Sequence, residues 1–397
     1  MSELNYLEKL LDGVEVEWSN LGNLCDIFTG GEAPQKHIKG DTPTSDYQYP
    51  IYGNGAEIYG YADSYRIGQD AVTISSIGAN TGTIYFRKAF FTPIIRLKVV
   101  IPKHSWLLPR YLFHYLSSQT INSKSSSVPN MNASDVKKLS IPIPCPNNPE
   151  KSLAIQSEIV RILDKFTALT AELTAELTAE LTMRKKQYNY YRDQLLSFDE
   201  NEVEWKALGE IAAYSKSRIS FDKLDENNYV GVDNLLQNRA GKMQSNYVPT
   251  SGNLTEFREG DILIGNIRPY LKKIWQADST GGTNGDVLVI RSCHESILPR
   301  YLYQILADES FFEYNMQHAK GAKMPRGNKD AIMKYRLPIP SLNEQTRIVS
   351  VLDKFDTLTN SISEGLPREI ELRQKQYEYY RDLLFSFPKP ETAQNTH

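Results

Sequence analysis

The sequence predicts an α+β protein: two α/β domains separated by two long helices that pair as an antiparallel coiled coil. The halves form a circularly permuted, pseudo-two-fold internal repeat. Three observations predict this. RKKQYNYYRDQLLSF at Arg184–Phe198 returns as RQKQYEYYRDLLFSF at Arg373–Phe387, close to half the chain further on. Both copies sit in segments with helical spacing. The segments between them are β-rich and diverge, and a repeat of this kind fixes architecture before any local reading.

The shared motifs extend along both halves. EVEWSNLG at Glu15 pairs with EVEWKALG at Glu202, LPRYLF at Leu108 with LPRYLY at Leu298, and IPIP at Ile141 with LPIP at Leu337. IVRILDKFTALT at Ile159 pairs with IVSVLDKFDTLT at Ile348. The N-terminal YLEKLLDGVEVEW resembles YRDQLLSFDENEVEW at Tyr191, so the chain begins with a copy of the segment that ends the central helix. A cyclic order cut open between helix and domain accounts for this and places the chain ends close together. The expected organisation is a first domain at 1–148, a central helical region at 149–200, a second domain at 201–340, a C-terminal helical region at 341–390 and a tail at 391–397.

The first domain carries short β-rich runs such as AVTISSIGANTGTIYF, punctuated by Gly, Asn and Pro, and then the helical piece PRYLFHYLSS. Its polar loops offer Asn54, Ser75, Ser76, Asn80, Arg87 and Lys88 as candidate recognition contacts, because exposed polar loops on a rigid scaffold are where recognition sits. The central segment from Leu153 to Ser197 has no Pro or Gly, and Ile159, Ile162, Leu163, Phe166, Leu169 and Leu173 follow helical spacing. At 1.5 Å per residue it spans roughly 65 Å. Within it TAELTAELTAEL, Thr170–Leu181, reads as a rigid helical rod, either solvated filler or a ruler in which each copy adds about 6 Å.

The second domain follows the same plan. EGDILIGNIRPYLKKIW groups Asn266, Arg268, Tyr270, Lys272 and Lys273, and strand alternation would turn some of them to one face suited to a duplex groove. Tyr270 and Trp275 fit a core equally well. One loop is shared by position and differs in content: KSSSVPNMNASDV, with Lys124, Asn130 and Asn132, corresponds to the basic KGAKMPRGNKDAI, with Lys320, Lys323, Arg326 and Asn328. Such a loop can touch phosphates and base edges, or be a solvated turn. The last segment has the length of the central helix but contains Gly365 and Pro367, so it should break or kink near Pro367. Two long apolar-striped helices favour a coiled coil over independent core helices.

Composition bounds the function. With 397 residues, 40% hydrophobic and 23% charged, the chain is an ordinary globular protein. A net charge of −3 excludes nucleic-acid binding by bulk charge alone, so local patches must do it. Three distant cysteines, no apolar run of membrane length and an acidic N-terminus without an apolar core point to the cytoplasm. No aminomethyltransferase motif, phosphate loop, dinucleotide fingerprint or zinc spacing is found, which favours a binding subunit over an enzyme.

The duplicated helix motif, the LPRYL segments, the IPxP…EQxRIV run at Pro338–Val349 and the TAEL copies together resemble the specificity (S) subunit of a type I restriction-modification system. The chain is most similar to the IC class, whose central helix carries TAEL copies. The resemblance covers essentially the whole chain. It implies that each domain is a target recognition domain reading one half of a split, asymmetric site in double-stranded DNA. It also implies that two modification subunits dock on the helices, with Tyr188, Tyr191, Arg192, Tyr377, Tyr380 and Arg381 as candidate contacts. They bring S-adenosylmethionine for N6-adenine methylation, and two restriction subunits add ATP- and Mg-dependent translocation and cleavage. This chain is then a non-catalytic hub with no cofactor of its own. Half-sites about one helical turn apart leave a gap of roughly six to eight base pairs. The alternative is a coiled-coil adaptor without DNA contact.

Overall fold

The computed structural model describes residues 6–119, 131–361 and 364–388. The chain forms two units, Met1–Glu172 with Gln374–His397, and Leu173–Arg373. The expected boundaries at 148/149 and 340/341 fall where strands give way to helices, while 391–397 lies outside the described residues. The units cut across that linear order, because each border falls inside a helix.

The first unit contains α1 (Tyr6–Leu11), β1 (Val16–Asn20), α2 (Leu21–Leu24), β2 (Cys25–Thr29), β3 (His37–Lys39), β4 (Tyr49–Tyr52) and β5 (Ile58–Ala62). It continues with β6 (Ala71–Ile74), β7 (Ile84–Arg87), β8 (Thr92–Pro93), β9 (Lys98–Pro102), α3 (Pro109–Ser118), α4 (Ala133–Lys137) and β10 (Ser140–Pro144). Then begins α5 (Pro149–Leu196), which runs on into the second unit. The sheets are ordered β2-β9-β6-β7 and β3-β5-β4-β8, with a β1-β10 ribbon.

The second unit contains β11 (Glu204–Ala207), α6 (Leu208–Ile211), β12 (Ala212–Tyr214), β13 (Arg218–Ser220), β14 (Tyr229–Val230), β15 (Asn253–Phe257) and β16 (Ile262–Gly265). It continues with β17 (Ile274–Gln276), β18 (Gly281–Thr283), β19 (Val287–Ser292), α7 (Pro299–Leu306), α8 (Glu309–Gln317), α9 (Lys329–Met333), β20 (Arg336–Ile339) and α10 (Leu342–Asn360). The last helix is α11 (Gly365–Leu384), whose C-terminal part belongs to the first unit. Its sheets, β12-β19-β16-β17 and β13-β15-β18-β14, and the β11-β20 ribbon repeat the first unit's plan. The second sheet is wired differently. Beside β5 lies the earlier strand β4, with β8 outermost; beside β15 lies the later strand β18, with β14 outermost. The same scaffold therefore carries two unlike sheets, which is why the sequence between the motifs diverges.

The shared motifs are each other's partners. In the ribbon, Cys145 N–H donates to the Glu15 carbonyl and Leu21 N–H to the Leu139 carbonyl, both at 2.8 Å. Odd positions of β10 thus face β1, and Pro142 and Pro144 fall on the outward phase, where no N–H is needed. Tyr111 donates to the Pro142 carbonyl at 2.8 Å, and its counterpart Tyr301 to Pro338 at 3.2 Å. Arg110 bonds Asp164 and Arg300 bonds Asp353, each at 2.8 Å, joining LPRYL to LDKF in both units.

α5 is unbroken over 48 residues, with Pro149 at its first position and Asn148 accepting the Lys151 N–H at 3.0 Å. Ile159 and Leu163 are fully buried, but the expected stripe fades after Phe166, since Leu169 is 51% exposed. No residue of the Thr170–Leu181 insert is buried, and Thr178 and Thr182 satisfy their hydroxyls on the carbonyls four residues back. The C-terminal segment is two helices, with the break just ahead of Pro367. Gly365, at φ +78°, supplies the left-handed turn, and a Cβ there would strike the Thr357 and Leu358 carbonyl oxygens. Pro367 then lies in the first turn of α11, where its missing N–H costs nothing.

Helix pairing occurs within each unit. In the first, Phe166 of α5 stacks on Tyr380 of α11 at 5.3 Å and Thr167 meets the Tyr377 hydroxyl at 3.2 Å, so one helix ascends as the other descends. In the second, Tyr188 and Tyr191 of α5 stack on Phe355 of α10 at 5.8 and 5.5 Å. The expected closeness of the chain ends also appears in the first unit: Leu7, Leu11, Leu384, Phe385 and Phe387 share one core, and Trp18 donates to the Pro388 carbonyl at 2.8 Å.

Candidate nucleic-acid interface

In the second unit the two basic stretches picked from the sequence are zipped together by backbone bonds. Arg268 N–H donates to the Pro325 carbonyl at 2.7 Å, and Gly327 N–H to the Asn266 carbonyl at 3.1 Å. Lys320 and Arg326 exchange two bonds at 2.9 Å, closing the loop tip. The expected strand alternation does not hold, because β16 ends at Gly265 and the next residues turn through a 3₁₀ step over Pro269–Leu271. Arg268 and Lys272 flank that step at φ +53° and +51°, a left-handed backbone held in place by the loop contacts.

The side chains divide into a surface set and an internal set. Arg268, Tyr270, Lys320, Lys323 and Arg326 are exposed on the joined loops. Arg326 pairs with Asp286 at 2.6 Å, an exposed pair that a phosphate can displace cheaply. The others turn out to be structural. Lys273 is buried and donates to the Val232 carbonyl at 2.6 Å, and burial lowers its pKa. Lys272 pairs with Glu309 at 2.5 Å, and Glu309 also accepts from Arg239 at 2.9 Å. Burial pushes the Glu309 pKa up, but these two cations outweigh it and hold the carboxyl below its usual range. Asn328 caps α9, accepting from Asp330 at 3.1 Å and Ala331 at 3.3 Å. Trp275 packs edge-on against Phe257 at 5.8 Å, on the core side of the two readings left open for it.

Asn266 is buried too. Its Oδ1 and both side-chain polar atoms of Asn315 lack hydrogen-bond partners among the described residues. Gly327 sits over both amides. A Cβ there would lie 2.6 Å from Asn315 Oδ1 and 2.7 Å from Asn266 Oδ1, so only glycine lets the loop close. Asn315, Asp286, Glu309 and Arg239 carried no local sequence signal; only the long-range packing brings them to the loops.

The first unit corrects more of the expected contacts. Ser75 and Ser76 are fully buried, donating to the Asn54 carbonyl at 2.7 Å and the Arg96 carbonyl at 2.6 Å. Asn54 accepts from Ser76 N–H at 2.7 Å and donates to the Ile95 carbonyl, so all three pin loops together. Arg87 is an internal clamp, donating to the Ala56 and Gly55 carbonyls at 3.1 and 3.0 Å with its guanidinium 3.8 Å from the Tyr52 ring centre. Burial lowers its pKa. Asn132 caps α4. Asn80 lies exposed in the turn before β7, and Lys88 is exposed and pairs with Asp70 at 3.1 Å. Lys124 and Asn130 lie outside the described residues.

On the helices, Tyr188 and Arg192 are buried rather than available to a partner. Arg192 bonds the Tyr188 hydroxyl and, at 3.4 Å, Gln304. Tyr191, Tyr377 and Tyr380 contact helices of their own units, and Arg381 pairs with Asp382 at 2.8 Å. The most exposed tyrosines of the motif are Tyr190 and Tyr379, with Tyr191 exposed to a lesser degree, and nothing in the local sequence sets them apart from their neighbours. Among the described residues no group of three or more His, Cys, Asp or Glu could hold a metal, and no helix is long and apolar enough to cross a membrane.

A family model for the type I restriction modification DNA specificity domain matches residues 13–183 and again 200–372. The chain is 40% identical over 419 residues to the type I restriction enzyme EcoR124I/EcoR124II specificity subunit of Escherichia coli, covering all of both chains. It is 34% identical to the EcoprrI specificity subunit of Escherichia coli, over 92% of this chain and 93% of that one. In fold it is similar to a crystal structure of a type I restriction-modification S subunit from M. genitalium, with TM-score 0.52 and 16% identity over 95% of this chain and 98% of that one. A structure from a study of type I system assembly and conformational transition gives TM-score 0.56 at 14% identity, over 93% of this chain and 97% of that one.

Proposed function

The chain belongs to the type I restriction-modification DNA specificity family, and from that premise we propose that it reads a bipartite, asymmetric DNA site, one half with each unit. The observation that carries this is the pairing of a duplicated scaffold with unlike sheets: the same clasp of Arg110–Asp164 and Arg300–Asp353 supports two sheets wired in different order. A shared frame with different faces suits one duplex read at two different half-sites. In the second unit the joined loops supply Arg268, Lys320, Lys323 and Arg326 for phosphate and base-edge contacts, with Tyr270 beside them.

The unburied TAEL insert, which contains the border between the units, acts as the spacer in this reading, and its copies support assignment to the IC class. The gap is roughly six to eight base pairs. Two modification subunits dock on the helices and supply S-adenosylmethionine, and two restriction subunits supply ATP- and Mg-driven action. This chain contributes recognition rather than catalysis. The test is a gel shift with a pooled duplex library in the presence of modification subunits, followed by sequencing of retained DNA. Enrichment of a split site supports the reading; binding to modification subunits with no sequence enriched would make the chain a protein adaptor.

A further inference from the structure

Between β8 and β9 of the first unit the chain makes a four-residue turn, closed by Leu97 N–H donating to the Ile94 carbonyl at 3.1 Å. Its two central residues, Ile95 and Arg96, both have left-handed backbone, at φ +53° and +58°. Such turns are usually built from Asn and Gly, and a β-branched residue at positive φ is an outlier. The fold holds it there. Ile95 N–H donates to the Gly31 carbonyl at 2.8 Å, and Arg96 N–H to the Gly30 carbonyl at 3.0 Å. The Ile95 carbonyl accepts from the Asn54 amide, and the Arg96 carbonyl from the Ser76 hydroxyl at 2.6 Å. All four backbone polar groups of the two residues are thus bonded to the fold, while both side chains are exposed. Strain of this kind persists only where the surroundings over-determine it, and it clusters at functional sites.

The second unit has a counterpart at the same register. Ile74 pairs with Lys98 in one sheet, and Ile264 with Leu288 in the other. Two residues ahead of those partners stand Arg96 and Asp286. The Ser76 hydroxyl bonds the Arg96 carbonyl, and Asn266 N–H bonds the Asp286 carbonyl at 2.8 Å. Ser76 and Asn266 in turn accept from Met131 N–H at 2.9 Å and Gly327 N–H at 3.1 Å. Arg96 therefore occupies the position from which Asp286 reaches the basic loop and pairs with Arg326 at 2.6 Å. In the sequence, Asn130 stands where the second unit has Arg326. The arginine has moved from the loop to the sheet turn. Among the described residues the Arg96 guanidinium makes no hydrogen bond or ion pair. Burial, and then the Arg96 charge, lower the Lys98 pKa, so positive charge gathers at this point of a chain that is acidic overall.

We propose that Arg96 is a specificity-determining residue of the first unit, donating through its guanidinium to the O6 and N7 acceptors of a guanine in the major groove. This rests on the reading that each unit reads one DNA half-site. A phosphate contact tolerates a mobile side chain, whereas a base edge demands a donor held in place. The bonded turn fixes the backbone and the Cβ direction of Arg96, so less freedom is lost on binding. Its planar fork matches the two acceptors of guanine, a pattern no other base presents in that groove. Ile95 lies beside it, 48% exposed, and shields the contact from water without competing for the acceptors. Separate anchors hold the turn, so the loss of any one of them leaves Arg96 presented.

The test uses the full-length chain assembled with modification subunits, and duplexes carrying the split site that this complex methylates. Arg96→Ala keeps the Cβ and removes only exposed atoms, so its thermal midpoint should match that of the unaltered chain. Methylated-site sequencing should show one guanine position of one half-site relaxed, with the other half and the gap retained. Affinity for the native duplex should fall roughly tenfold to a hundredfold. Replacing that G·C pair by A·T should weaken the unaltered complex by a similar factor and leave the variant's affinity as it was. An unchanged motif would overturn Arg96 as a base reader. So would an equal loss on both duplexes, which is the signature of a phosphate contact. An unaltered complex that selects no split site would instead overturn the functional reading beneath it.

Discussion

The Gln345 side chain accepts the Leu298 N–H at 2.9 Å, and through it α10 holds the start of α7. The same amide donates to the Ser296 and Pro340 carbonyls at 2.8 and 2.9 Å. Gln156 does the equivalent work in the first unit, accepting from Leu108 at 3.0 Å and donating to Trp106 at 3.0 Å. Both glutamines are fully buried. Gln345→Ala leaves a helix-start N–H and two carbonyls unpaired, so the second unit should lose about 2 kcal/mol. Urea denaturation checks this; an unmoved midpoint would show that the clasp is not a determinant of the fold.

Ser76 has changed role between sequence and structure. It is buried on the Arg96 carbonyl at 2.6 Å and sits away from any surface. Ser76→Ala should cost about 1 kcal/mol of stability and leave both recognised half-sites as they were. A variant of full stability with an altered methylation motif would restore Ser76 as a reading residue.

The unburied insert makes a prediction about spacing. Deleting Thr174–Leu177 removes one TAEL copy and about 6 Å of helix, against 3.4 Å per base pair along the duplex. After tilt, the preferred gap should shorten by about one base pair, with both half-sites retained. Methylated-site sequencing of the deletion strain reads this directly, and an unchanged gap would reduce the insert to filler.

Arg326 separates binding from folding. Its pair with Asp286 is exposed, so Arg326→Ala should leave stability within about 0.5 kcal/mol. If Arg326 meets a phosphate in the complex, the variant should weaken DNA binding and lower the salt-dependence slope by about one. Identical salt titrations for the two proteins would return the loop to a solvated turn.

Much of the architecture was legible because the repeat is its own alignment: LPRYL, IPxP and LDKF recur together because they bond one another across the fold. The break ahead of Pro367 was legible from local backbone chemistry. The site was less so. Polar residue type marked Ser75, Ser76, Asn54 and Arg87 as surface candidates, yet each is consumed by a carbonyl more than 15 residues away in the chain. Asn315 and Glu309 meet the basic loops only through tertiary packing, which periodicity does not encode. The rings of RxKQYxYYRDxL were legible as important, but which of them faces outward depends on helix phase against Phe166 and Phe355.

Each unit should read its own half of the target. The most direct measurement is methylome sequencing of a strain whose residues 20–148 come from a relative of different specificity. One half of the methylated motif should change while the other half and the gap stay fixed. A change in both halves, or in neither while methylation continues, would mean that the units do not read the halves separately.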